Sequence, residues 1–136
     1  MKETLIVPAA DERLDEVVEF VLNGLNARGC PEVTQLQIEL AVEEIFVNIA
    51  HYAYPPGHGS VTVTREITPG GLLRVTLSDS GTAYDPLERP GPELSLPIEE
   101  KPEGGLGIFM ARKSMDRTYY EHRGGKNILT LEKKLR

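Results

Sequence analysis

Only one cysteine, Cys30, occurs in the 136 residues. A lone thiol closes no internal disulfide and assembles no zinc site, which fits a reducing interior, and Cys30 itself reads as a packing residue. Long apolar runs are also missing: none approaches the ~18 residues that a membrane-spanning helix requires. The stretch Met1 to Pro8 carries Glu3 and reaches a proline before a signal-peptide core could form, so the expected location is the cytoplasm. Positive charge is in deficit, with 15 Lys and Arg against 21 Asp and Glu and a formal net charge of -6. That average field repels nucleic-acid backbones and anionic membranes. It does not exclude a small anionic ligand, because backbone N–H groups and a metal can supply positive potential locally.

What remains is ordinary globular composition, with 40% hydrophobic and 26% charged residues. The length suits one domain, residues 1–136, with one core. Thr4 to Val7 reads as a strand. Asp11 is placed to cap a helix carrying Leu14, Val17, Val18, Val21 and Leu22 at helical spacing, with Gly29 as its stop. Pro31 and Glu32 fit the first turn of a second helix running to about Tyr52. Ser60 to Thr64 and Leu72 to Leu77 read as a hairpin about Pro69-Gly70-Gly71, and Thr118 to His122 and Asn127 to Leu135 as two last strands about Gly124-Gly125. Between them, the proline-rich stretch from Asp85 to Gly104 reads as a long loop, and Gly104 to Met115 as a glycine-led helix. The expected fold is α+β, a two-layer sandwich with helices on one face of a mixed, mostly antiparallel sheet.

Three motifs could carry chemistry. On the second helix Glu44 and Asn48 lie four apart and project from one face. Lining a cleft, the amide oxygen could ligate Mg²⁺ while the carboxylate takes a proton; otherwise they are an exposed, solvated pair. In Leu77-Ser78-Asp79-Ser80-Gly81 a strand ends in a carboxylate able to accept from a ligand's amino group, with Gly81 allowing close approach of a flat ring; the alternative is a plain turn. Gly104-Gly105-Leu106-Gly107-Ile108 opens a helix whose free N–H groups could cradle phosphate, or is only a cap. It lacks the G-x-G-x-x-G spacing of a dinucleotide fingerprint.

The order of these motifs, E-x-x-x-N, then D-x-G after a strand, then a long loop, then G-x-G, resembles the N, G1 and G2 boxes of the GHKL (Bergerat) ATPase superfamily, from about Leu5 to Leu135. Asp79-Ser80-Gly81-Thr82-Ala83-Tyr84-Asp85-Pro86 is most similar to the anti-sigma-factor serine/threonine kinase branch. Ala83 stands where histidine kinases usually carry a second glycine. The resemblance implies ATP and Mg²⁺ as ligands, Asn48 as metal ligand, Glu44 as general base and Asp79 as reader of the adenine amino group. It further implies Gly81 against the base, Gly105, Leu106 and Gly107 at the phosphates, Thr130 near adenine beside Asp79, and an ATP lid at about 86–104. As substrate it implies a STAS-type anti-sigma antagonist, with a sigma factor as sequestered partner and a possible homodimer. An alternative is a nucleotide-gated module that holds a partner without phosphorylating it. Branch members often carry a histidine four residues after the asparagine; here that position is Tyr52, so His51 receives no catalytic role. Arg112 and Lys113 could reach phosphate or form a solvated basic face.

Overall fold

Alternating apolar and polar positions give strands, and three-to-four spacing gives helices, in the computed structural model of the chain, which describes residues 2–54, 59–81 and 111–135. In chain order these are β1 (Lys2–Pro8), a 3-10 turn (Asp11–Arg13), α1 (Leu14–Leu22), α2 (Glu32–Tyr52), β2 (Ser60–Ile67), β3 (Leu72–Asp79), β4 (Arg117–Arg123) and β5 (Lys126–Lys134). One sheet of order β1-β2-β3-β5-β4 results. All four pairings are antiparallel, so the expected mixed sheet is antiparallel throughout the described strands.

β5 lies between β3 and β4, although β4 precedes it in the chain. Gly124 and Gly125, both at positive φ, make the two-residue hairpin turn that sends β5 back between them. This insertion pairs the end of β3 with the start of β5, Asp79 opposite Asn127. Val61, Val63, Leu73, Val75, Leu77, Leu129 and Leu131 are buried on the face toward α1 and α2, where Val17, Val21, Ile38, Val42, Ile45 and Phe46 meet them. Thr62, Thr64, Thr76 and Ser78 alternate onto the other face and are half-buried.

Two sequence expectations change. Asp11 does not cap α1; its carboxylate meets Nε2 of His51 at 2.9 and 3.0 Å, forty residues away. Helix α1 also ends at Leu22 rather than at Gly29. At that end Leu22 O accepts from Leu25 N (3.1 Å), and the buried guanidinium of Arg65 on β2 donates through Nη1 to Phe20 O (3.1 Å) and to Asn23 O just past the helix (2.7 Å). A long-range cation thus satisfies groups that a local cap leaves unpaired. Cys30 is buried and burial pushes its thiol up, as a packing residue requires.

α2 begins after Pro31, and Glu32 occupies its first turn, as expected. On its flank toward α1, burial and the carboxylates of Glu39 and Asp15 hold Glu43 above the usual carboxylate range. A raised folded-state pKa means that ionising Glu43 opposes folding. The penalty is complete above that raised pKa and vanishes below the ordinary one. Glu43→Gln is therefore expected to add about 0.2–0.5 kcal/mol at neutral pH, the scale of a helical like-charge pair, raising the melting midpoint by roughly 1–2 °C. Melting curves from pH 3 to 8 check this, since the gain should be absent at the acid end.

Candidate functional site

The C-terminal half of α2 crosses the sheet where β3 ends and β5 begins. Asn48 is 3% exposed there, and its Nδ2 donates to Glu44 O at 2.8 Å and to Glu44 Oε1 at 3.0 Å. The two residues are thus a bonded pair rather than two solvated side chains. With both amide protons spent on Glu44, the atom of Asn48 suited to a hard cation is Oδ1.

Asp79, the last residue of β3, is a carboxylate at 5% exposure. Its Oδ1 accepts from Gly81 N (2.8 Å), which shapes the turn, and from Asn127 Nδ2 (2.9 Å). The turn reading and the binding reading are compatible, because both bonds end on one oxygen. No donor among the described residues meets Oδ2, and a buried carboxylate oxygen gains most from a donor.

Gly81 has a packing reason of its own. A Cβ there would lie 2.2 Å from Ala53 O and 2.8 Å from Ala53 Cβ at the end of α2. Backbone cannot yield as a flexible side chain would, so Gly81→Ala is expected to cost about 1–3 kcal/mol, the range for overpacking. Urea unfolding of the variant measures it; an unchanged midpoint would mean that the turn moves freely. Tyr54 braces the same corner, since its OH donates to Ser60 O (2.9 Å) and accepts from Ser80 N (2.6 Å).

Between α2 and the sheet is a cleft. Ile45, Ile49, Ala53, Leu77 and Leu129 form its apolar wall; Asn48, Asp79 and Asn127 supply polar atoms, and Tyr120 of β4 closes the side. The Tyr120 OH donates to Asn127 Oδ1. Interior free volume is about 20 Å³, room for about one water. A flat ring seated there would have helix side chains (Ile45, Ile49, Ala53) on one side and strand side chains (Leu77, Leu129) on the other, with the Asp79 carboxylate among its polar neighbours.

The structure therefore brings Asn48 and Asp79 to one cleft, with Glu44 bonded to Asn48. It does not bring Thr130. That residue pairs with Thr76, its Oγ1 3.5 Å from Thr76 Oγ1, on the sheet face away from the helices. Side chains alternate along a strand, so Thr130 and Asp79 point to opposite faces, and Asn127 is the residue beside Asp79. Asn127, Tyr120 and Tyr54 were not singled out from the sequence. The signal for Asn127 was its place two residues beyond the Gly124-Gly125 turn, at the foot of a strand. Gly105, Leu106, Gly107 and the lid at about 86–104 lie outside the described residues. His51 is exposed and held by Asp11 and is not among the residues lining the cleft, and Arg112 and Lys113 are exposed on the helical residues 111–114. Among the described residues no cluster of three or more His, Cys, Asp or Glu could hold a metal, and no helix is long and apolar enough to cross a membrane.

The profile of the histidine kinase-like ATPase domain matches residues 7–133. The chain is 32% identical over 94 residues to the serine/threonine-protein kinase BtrW of Bordetella bronchiseptica, covering 69% of this chain and 66% of that one. It is 29% identical over 96 residues to the serine-protein kinase RsbW of Bacillus cereus, covering 68% and 59%. The chain thus spans under two thirds of the length of either relative. Among solved structures, the RsbU and RsbW domains of Rv1364c from Mycobacterium tuberculosis superpose with a TM-score of 0.67 at 18% identity, over 98% of this chain and 32% of that one. At that identity the likeness concerns the fold.

Proposed function

Because the chain belongs to the histidine kinase-like ATPase domain family, we propose that it binds ATP in the cleft between α2, β3 and β5 and phosphorylates a partner protein on serine or threonine. In this reading it acts as an anti-sigma regulatory factor. The observation that carries the proposal is the convergence of the buried Asp79 with Asn48, and of Glu44 through Asn48, on one apolar-walled cleft. The names of the kinases BtrW and RsbW support the reaction class.

Asp79 Oδ2 accepts from the exocyclic amino group of adenine, while the apolar wall takes the ring faces. Asn127 holds the carboxylate in that orientation. The amide oxygen of Asn48 suits Mg²⁺, which keeps several waters and is held largely by substrate phosphates. When bound, the ion would neutralise charge on the phosphate oxygens. Glu44, restrained by Asn48, accepts the proton of the attacking hydroxyl as its oxygen bonds to the γ-phosphorus and ADP leaves. Gly105, Leu106 and Gly107 would contact the phosphates through backbone N–H groups, with residues 86–104 as the lid. The substrate of this reading is a STAS-type anti-sigma antagonist, and a sigma factor is the sequestered protein.

The test is incubation of the full chain with γ-labelled ATP and a STAS-type protein from the same genome. Label on a serine or threonine of the partner is expected. Nucleotide-dependent binding without label would replace the kinase with the gated binding module.

A further inference from the structure

Four large apolar side chains are exposed among the described residues, and three of them, Val33 (70%), Leu36 (54%) and Leu40 (54%), lie on α2. At 100° per residue, positions 33, 36, 40 and 47 fall within about 60° of arc on the pole opposite Ile38, Val42, Ile45 and Ile49. The helix is therefore apolar on both poles, one facing the core and the other facing outward. An outward stripe does nothing for this fold, and contiguous exposed apolar surface marks an interaction site. Acids border it on both sides: Glu32, Glu39 and Glu43 on one flank and Glu44 on the other. Glu43 already sits against Glu39 and Asp15.

We infer that this stripe docks an amphipathic helix of a partner protein, one whose apolar ridge is flanked by lysine or arginine. The charge pattern selects this occupant. A second copy of the chain, itself at -6, would bring acids against acids, whereas a basic flank would meet them with opposite charge. Helix against helix suits the spacing, since apolar residues at i, i+3 and i+7 present a ridge that another helix can straddle. Val47 continues the stripe beside Glu44, so a helix seated there runs toward the carboxylate proposed as base. That consequence rests on the proposed kinase function; the docking itself does not.

Two synthetic peptides provide the probe, each with leucines at helical i, i+3 and i+7 positions, one flanked by lysines and the other by glutamates. Titrated into the isotope-labelled full chain without nucleotide, the lysine peptide is expected to shift the amide signals of residues 32–47. Its Kd should rise about tenfold or more in Leu36→Gln/Leu40→Gln and in Glu39→Gln/Glu43→Gln, and the glutamate peptide should not bind. Both leucines are exposed, so the Leu36→Gln/Leu40→Gln variant should melt within a degree or two of wild type. Shifts mapping elsewhere, or equal affinity in the variants, would overturn the inference. So would a wild-type dimer that Leu40→Gln dissociates, which would make a second copy the occupant, or a melting loss of many degrees, which would mean that the chain covers the stripe itself. A wild type that shows no melting shift with Mg²⁺-ATP would count against the kinase reading and leave this docking result untouched.

Discussion

Asp79→Asn is expected to abolish the thermal stabilisation that Mg²⁺-ATP gives the wild type. At a ligand concentration of 100 times Kd, the wild type gains about 2.7 kcal/mol, which for a chain of this length raises the melting midpoint by roughly 8 °C. Asparagine keeps the shape and keeps an Oδ1 that can accept from Gly81 N and Asn127 Nδ2, the bonds that organise the turn. Those two donors fix which end of the new amide faces them. The other end changes from an acceptor oxygen to an NH₂ group, a donor aimed at the donor amino group of adenine. A buried donor facing a donor leaves both unpaired, so binding is lost while the fold survives. Melting curves with and without nucleotide, for both proteins, read this directly. A full shift in Asp79→Asn would place adenine elsewhere, and no shift in the wild type at millimolar nucleotide would remove the ATP site altogether.

Asp79 was legible in the sequence because everything that marks it is local: an alternating strand, a carboxylate at its end, and glycine two residues on. The start of the second helix was legible for the same reason, since Pro31 and Glu32 mark its first turn locally. What could not be read is what depends on partners distant in the chain. Thr130 and Asn127 both lie on a segment that reads as a strand, and which of them faces Asp79 is decided by parity alone. Parity depends on β5 pairing with β3 at Asp79↔Asn127, a contact across 48 residues that no local pattern encodes. The end of α1 shows the same limit. Gly29 has the composition of a helix stop, but the chain already turns at Gly24, at positive φ two residues past Leu22, and Arg65, 42 residues beyond Asn23, takes the carbonyls of Phe20 and Asn23 at that end. Gly81 is a subtler case: the residue was recognised, but the contact it requires is with Ala53. A glycine that lets a ring approach and one that lets a helix end approach look identical in sequence.

Glu44→Gln should separate binding from transfer. The Glu44 carboxylate accepts from Asn48 Nδ2 through Oε1, and a glutamine of the same length can offer its own carbonyl oxygen to that donor. The helix, the Asn48 rotamer and the adenine end of the cleft are left as they were, so the melting shift with Mg²⁺-ATP should stay within about a degree of the wild-type value. A neutral amide cannot take a proton from an attacking hydroxyl. Loss of a positioned base costs about 10²–10⁴-fold in rate, and transfer of labelled phosphate to a STAS-type partner should fall by that factor. If transfer continues undiminished while binding is intact, Glu44 is a helix residue that steadies Asn48 and the proton leaves by another route. If Glu44→Gln loses nucleotide binding as well, the carboxylate acts on the bound nucleotide and its metal rather than on the acceptor hydroxyl. The bond from Asn48 to Glu44 then serves to keep two oxygen ligands at a fixed separation.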